Sequence, residues 1–287
     1  MRRSPHAVSL ATAGILVAIG CRESDQNRFS GHGGTPVVSA TEAPAGAETL
    51  AVQWVKISTP GSGAMIAAIA RPGGTGPFPA VLILHGTHGF ALEYVQLAQA
   101  MARRGVVGVA ACWFAGGRGA GARFITPIAC PDAAPLSAAS SDTAQRTAAA
   151  LVQAVRELPG VRSDRVALFG HSRGGGAALN YILRSHSVRA AVLNSAGYPT
   201  ELVERARHMR TPILILHGTA DDPADGGSAF SNVQMARNFE SALRRAGKSV
   251  EAKYYEGGRH NGLFASATQH DDEVERAMTF LQRYLLE

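Results

Sequence analysis

The chain has 287 residues, long for one ordinary domain but within reach of a single large α/β one. Hydrophobic residues make up 46% and charged residues 17%, so a large core is available and general disorder is excluded; no apolar stretch reaches the length of a membrane span, and collagen-like, coiled-coil and repeat classes are excluded as well. The net charge is +6, falling to +4 without Arg2 and Arg3, and the remaining cations are scattered, which argues against a nucleic-acid partner.

Residues 1–20 read as an export signal: Arg2 and Arg3, then an apolar run from Ala7 to Gly20, then Cys21. A run of about fourteen residues broken by Ser9 and Thr12 is too short to span a bilayer and suits the core of a signal peptide. Ala18-Ile19-Gly20-Cys21 resembles a bacterial lipobox, with Ala18 where Leu is commonest, and Cys21 is then the lipid acceptor. An ordinary cleaved secretory signal, with Cys21 incidental, is the other reading. Ser4-Pro5-His6 lacks the apolar residues that a twin-arginine signal needs. The expected address is therefore outside the cytoplasm. The protein is either a lipoprotein on the periplasmic face of a bacterial membrane, held there only by an N-terminal lipid, or a secreted or periplasmic protein. Residues 21–47, rich in Ser, Gly, Thr, Pro and Ala without an apolar period, read as a flexible tether, and 48–287 as one catalytic-sized domain. In an oxidising compartment Cys112 and Cys130 form an even pair, and a bridge between them would contribute roughly 3 kcal/mol; two buried free thiols are the alternative.

From Glu48 onward, short apolar runs alternate with helical patterns, which argues for βα units and a mostly parallel sheet. Eight strands are expected: 51–58, 65–71, 80–85, 106–112, 166–170, 190–194, 213–217 and 250–255. Val81-Leu82-Ile83-Leu84 and Ile213-Leu214-Ile215-Leu216 do not alternate, the mark of strands covered on both faces. Helices are expected around Tyr94–Met101, from a Ser141-Asp142 cap to a stop at Pro159-Gly160, over 177–183, 229–245 and 271–286. The last would open on Asp271, Asp272 and Glu273, acids that suit a helix N-terminus. Only Ala196–Thr211 separates two of the strands, too little for a cap domain, while the Gly-rich stretch from Phe114 to Ala139 is a candidate lid.

Gly170-His171-Ser172-Arg173-Gly174 matches G-x-S-x-G, a string too short to carry an argument alone. Its context carries it, because the buried strand Val166-Ala167-Leu168-Phe169 runs in and a helix runs out. A serine on such a sharp turn has its Oγ lifted clear of the sheet beside a helix N-terminus, and the glycines permit the close packing required. Over residues 48–287 the chain resembles the α/β-hydrolase family, and within it the open, capless dienelactone-hydrolase-like branch. Its namesake enzymes use a cysteine nucleophile where this chain has Ser172, so the resemblance implies a serine esterase.

The family order is Ser, acid, His. A serine needs an imidazole to take its proton and a carboxylate to orient that imidazole. The resemblance implies Asp221 as the acid, in His217-Gly218-Thr219-Ala220-Asp221-Asp222, with Asp222 and Asp225 as rivals. It implies His260 as the base, in a Gly-rich turn after the last strand, with His270 as competitor. His85-Gly86-Thr87-His88-Gly89 resembles the family's His-Gly loop, which implies the backbone N–H groups of Thr87 and Arg173 as an oxyanion hole, each worth roughly 3 kcal/mol. His85 and His88 also stand at H-x-x-H spacing, but no carboxylate or thiol lies nearby to complete a metal site. Gly117, Gly119 and Ala122 fit only the loose form of a dinucleotide fingerprint, with no helix opening after them. No metal or organic cofactor is implied.

The leading expectation is a serine carboxylic-ester hydrolase working on a small-molecule ester through an acyl-enzyme. Peptide or amide cleavage, acyl transfer on the same three residues, and a non-catalytic ligand-binding lipoprotein are the alternatives. Arg118, Arg123 and Arg173 would favour an acidic substrate if they faced the site, although exposed arginines usually face water.

Overall fold

The computed structural model describes residues 35–287 apart from 60–62, 118–122 and 224–226. The leader, Cys21, the start of the tether, Arg118, Gly119, Ala122 and Asp225 lie outside the described residues.

Short runs of mainly aliphatic residues, with Asn194 and His217 at the carboxyl ends of two of them, make the strands β4 (Phe78–Leu84), β5 (Val107–Ala111), β7 (Ala191–Asn194) and β8 (Ile213–Gly218), which are buried almost throughout. Around them stand β1 (Val37–Ala40), β2 (Gln53–Ser58), β3 (Ala64–Ala70), β6 (Val161–His171) and β9 (Val250–Tyr255). The order across the sheet is β1-β2-β3-β5-β4-β6-β7-β8-β9, antiparallel from β1 to β5 and parallel from β5 to β9. This is an α/β-hydrolase fold, and the described residues form no cap domain.

The helices are α1 (Leu92–Ala102), α2 (Asp142–Glu157), α3 (Arg173–Arg184), α4 (Thr200–Glu204), α5 (Val233–Arg245), α6 (Gly262–Ala265) and α7 (Ala267–Leu285). α1 packs with α7, and α2 packs with α3. Both layers cover the parallel strands, which is why those strands carry no alternation. Among the described residues no helix is long and apolar enough to cross a membrane.

Several boundaries differ from expectation. The sheet has nine strands rather than eight, because Val37–Ala40 pairs antiparallel with β2, from Val37 opposite Ser58 to Ala40 opposite Val55. Ala47 is also fully buried, so the later part of the expected tether belongs to the fold. A four-residue edge strand with Val37 64% exposed buries too little to leave an apolar pattern; long-range pairing makes it. β6 begins at Val161 rather than Val166, its half-exposed first turn of sequence (Arg162, Ser163, Asp164) disguising a strand.

α2 follows its signals: Ser141 Oγ accepts the Ala144 N–H at 3.1 Å, and Leu158, preceding a proline, is extended. α5 starts at Val233 because Asn232 caps it, accepting the Met235 N–H. α7 starts at Ala267 under a Ser266 cap, so Asp271, Asp272 and Glu273 do not open it. Glu273 lies in the second turn and is buried at 1% exposure.

The Gly-rich insertion is a wall in its described part. A disulfide joins Cys112 to Cys130, with Cα atoms 6.6 Å apart. The Glu93 carboxylate accepts the Thr126 N–H at 2.9 Å, Ala115 N–H donates to Ala134 O at 2.6 Å, and Arg173 Nη1 donates to Ser137 O at 2.6 Å.

Candidate active site

The sequence of strands changes direction at β4: α1 leads outward to β5 on one side, while β6 pairs on the other. Such a switch point leaves a crevice at the carboxyl ends of the two strands. Those ends carry His85-Gly86-Thr87 after β4 and Ser172 after β6.

Ser172 sits between β6 and α3 with φ 53° and ψ −116°; it and Ser195 are the non-glycine residues of positive φ among those described. A side chain in that region costs of order 1–3 kcal/mol, which the surroundings must hold in place. They do so by backbone bonds: Ser172 N–H donates to Asn194 O at 2.8 Å, and Gly176 N–H donates to Ser172 O at 3.0 Å. The turn also brings chain segments into van der Waals contact. A Cβ at Gly174 would collide with the carbonyl oxygen of Leu84, and one at Gly170 with that of Gly174. The result lifts Ser172 Oγ out of the sheet at the N-terminus of the twelve-residue α3, whose dipole favours negative charge.

Three distant residues meet there. Ser172 Oγ lies 2.8 Å from His260 Nε2, and His260 Nδ1 lies 2.8 Å from Asp221 Oδ2. The hydroxyl donates to Nε2, which accepts, and the ring's N–H at Nδ1 donates to the carboxylate. Asp221 and His260 are each 3% exposed, while Ser172 is half-buried. Of the rivals, Asp222 is exposed, and His270 Nδ1 donates to Leu263 O at 2.9 Å in the first turn of α7.

Asp221 also serves a second imidazole. His217, fully buried four residues earlier, places Nε2 3.2 Å from the same Oδ2 and donates to Ser231 O. Ser231 Oγ donates to Oδ1 at 3.4 Å. Burial alone would raise the Asp221 carboxyl, but the hydrogen bonds from His217 and His260 overcome it and hold the group below its ordinary value. In the sequence His217 stands four residues before Asp221 at a strand end, and that i,i+4 spacing is the signal that points to it.

The loop expected to supply oxyanion donors lies beside the elbow. Arg173 Nε donates to Thr87 Oγ1 at 3.1 Å, so the side chain that follows Ser172 clamps the other expected donor residue. Tyr94 Oη accepts the Gly86 N–H at 2.8 Å and donates to His88 Nε2 at 2.7 Å, fixing the same loop from below. His85 is buried among Phe90, Trp113 and Phe114, its Nε2 accepting the Trp113 N–H at 3.3 Å. His85 and His88 are thus committed to hydrogen bonds with the protein itself. Gly117 packs against the backbone of His88, and Arg123 is exposed. A cleft of about 410 Å³, lined largely by apolar residues including Phe90, Ile128 and Pro131, opens beside this loop.

Burial sets the charge of this region. Loss of water holds His85 down to about 3, His88 to about 2 and His171 to about 3, with mutual repulsion between the rings adding to it. Burial pushes Glu273 up to about 8. The native state therefore refuses three protons that the unfolded chain binds below about pH 6.5, and it holds one that the unfolded chain releases above about 4.5. The histidine contribution is complete above about pH 6.5 and lost as pH falls; Glu273 acts in the opposite sense over that range. The net of two protons predicts that stability drops by roughly 3 kcal/mol per pH unit between about pH 6 and 4.5. Urea unfolding midpoints at several pH values check this, and a midpoint that is flat over that range contradicts it.

Comparison with known proteins agrees with this architecture. Residues 65–285 match the model of the dienelactone hydrolase family. The chain is 24% identical over 233 residues to a Bradyrhizobium sp protein named "Probable 2-oxo-3-(5-oxofuran-2-ylidene)propanoate lactonase", covering 74% of this chain and 84% of that one. Its fold is similar to that of an esterase from Pyrococcus furiosus, with a TM-score of 0.64, 14% identity and coverage of 88% of this chain and 99% of that one. A dienelactone hydrolase-like promiscuous phosphotriesterase from metagenomic libraries is similar with a TM-score of 0.59, 18% identity and the same coverages. With most of its length matched, and the sheet order and elbow described above, the chain belongs to the dienelactone hydrolase family.

Proposed function

We propose that this member of a hydrolase family is a serine carboxylic-ester hydrolase acting on small-molecule esters. The observation that carries the reading is the unbroken line of hydrogen bonds from Ser172 Oγ through His260 to Asp221, 2.8 Å at each step. His260 Nε2 takes the proton of Ser172 as Oγ attacks the ester carbonyl. The tetrahedral oxyanion rests on the backbone N–H groups of Thr87 and Arg173, at the positive end of α3. Asp221 stabilises the imidazolium, which then protonates the departing alcohol. Water, deprotonated by the same ring, attacks the acyl-enzyme and releases the acid. No step requires a cofactor.

The substrate reading is supported by the absence of a cap domain between β7 and β8, where only α4 and a 3-10 turn at Ala206–His208 stand. The Bradyrhizobium relative's name adds cyclic esters to the compounds worth assaying. The leader sequence leads us to place the enzyme outside the cytoplasm, with Cys21 as lipid acceptor, the catalytic domain meeting membrane only through that anchor. The experiment is hydrolysis of short p-nitrophenyl esters by the purified protein. Turnover with an initial burst of nitrophenol equal to the enzyme present supports an acyl-enzyme; a complete lack of hydrolysis across acyl lengths and a lactone panel refutes the reading.

A further inference from the structure

Behind the elbow runs a line of polar side chains that the reaction above does not use. Glu273 on α7 accepts an N–H from Gln269 Nε2 at 2.7 Å on one oxygen and from Asn194 Nδ2 at 2.6 Å on the other. Asn194, the last residue of β7, turns its amide oxygen to His171 Nδ1 at 2.6 Å. His171 precedes Ser172 in sequence, and its Nε2 lies 3.2 Å from Asn261 Oδ1. Asn261 follows His260, whose ring centroid is 5.5 Å from that of His171. The line thus joins the neighbour of the nucleophile to the neighbour of the base.

Hydrogen-bond direction gives this line two self-consistent states. A carboxylate accepts at both oxygens, so Asn194 must offer it the NH2 group and face His171 with its oxygen, which calls for a proton on Nδ1. A protonated Glu273 donates instead. The Asn194 amide then turns over, accepts that proton on its oxygen and gives an N–H to His171 Nδ1, which leaves the ring proton on Nε2 for Asn261. Turning a primary amide exchanges nitrogen and oxygen at little steric cost. A neutral imidazole has one N–H, yet amide oxygens face His171 from both sides. Only one of them is served at a time.

We propose that Glu273 is a positioning residue for Ser172 and His260: by its proton it sets the orientation of Asn194, the tautomer of His171 and the hold on Asn261. The kinetic consequence rests on the ester-hydrolase reading, while the tautomer does not. Burial is the main cause that raises Glu273 to about 8; hydrogen bonds from Gln269 and Asn194 oppose it, and the neighbouring Asp272 adds to it. Asp272 is itself bonded to Tyr255 of β9 and to Arg276. Tyr255, His171 and, beyond it, His260 are the other titratable groups facing this acid.

The test is nitrogen NMR of the protein with 15N-labelled histidine, followed from about pH 6 to about pH 9.5, across the Glu273 titration. The His171 resonances are expected to change from the Nε2–H to the Nδ1–H pattern as pH rises in the wild-type protein. In Glu273→Gln the pattern should no longer respond to pH. The kcat profile of that variant should lose an inflection that wild type carries over the same range, with KM within about twofold. One unchanging His171 tautomer in wild type overturns the proposal, in an arm that needs neither a folded variant nor a substrate. A tautomer change in a protein that hydrolyses no ester supports the line and counts against the ester reading alone.

Discussion

Ser172→Ala is expected to lower kcat on a short ester by about a millionfold, with the fold intact. The side chain of Ser172 does not cap α3, and its Oγ makes its hydrogen bond to His260 Nε2, so removing it leaves the packing of the elbow untouched. The strained backbone remains strained with alanine, and the thermal midpoint should move little. His260→Ala should cost about as much, because a serine without a proton acceptor is a poor nucleophile. The informative case is the double variant. Residues that act as one unit lose their contribution together, so Ser172→Ala with His260→Ala should fall no further than either alone. Steady-state kinetics on the three proteins check this; losses that multiply would mean that the two residues act separately.

Asp221 carries the second large effect. Asp221→Ala should lower kcat by about ten-thousandfold, since His260 Nδ1 loses the acceptor that fixes its proton on the correct nitrogen. Asp221→Asn should be milder here than alanine, by at least about tenfold. Both His260 and His217 approach the same oxygen, Oδ2, while Oδ1 accepts the Ser231 hydroxyl at 3.4 Å. An asparagine can keep its oxygen toward the two rings and offer its NH2 to Ser231, whose hydroxyl can accept as well as donate. The tautomer survives and only the charge is lost. Equal losses for the two variants would argue that His217 does not help fix the acid's oxygen.

The parts of this molecule most legible in its sequence were those dominated by burial. Val81–Leu84 and Ile213–Leu216 are covered on both faces, and a short apolar run without alternation is what such a strand requires. The elbow was readable because strand, glycine, serine and helix must follow one another within a few residues. Asp221 and His260 were reached through resemblance, and the structure brings both to Ser172. What escaped was set by long-range pairing or by single polar contacts. β1 exists because β2 offers it an edge, and α7 begins at Ala267 because one serine hydroxyl caps it. Glu273 was expected as one of three acids opening a helix, yet that helix starts at Ala267 and Glu273 is buried within it beside Asn194. His171 was a variable letter inside a motif, and nothing local tells that its ring lies between two amides.

The proposed chemistry requires Ser172 to be a nucleophile activated by His260. The most direct measurement is reaction of the folded protein with a fluorophosphonate, followed by intact mass and peptide mapping. One phosphonyl adduct per chain, on Ser172 alone and formed far more slowly in His260→Ala, is the predicted result. Wild-type protein that stays unlabelled, or that carries the adduct on another residue, would contradict the account.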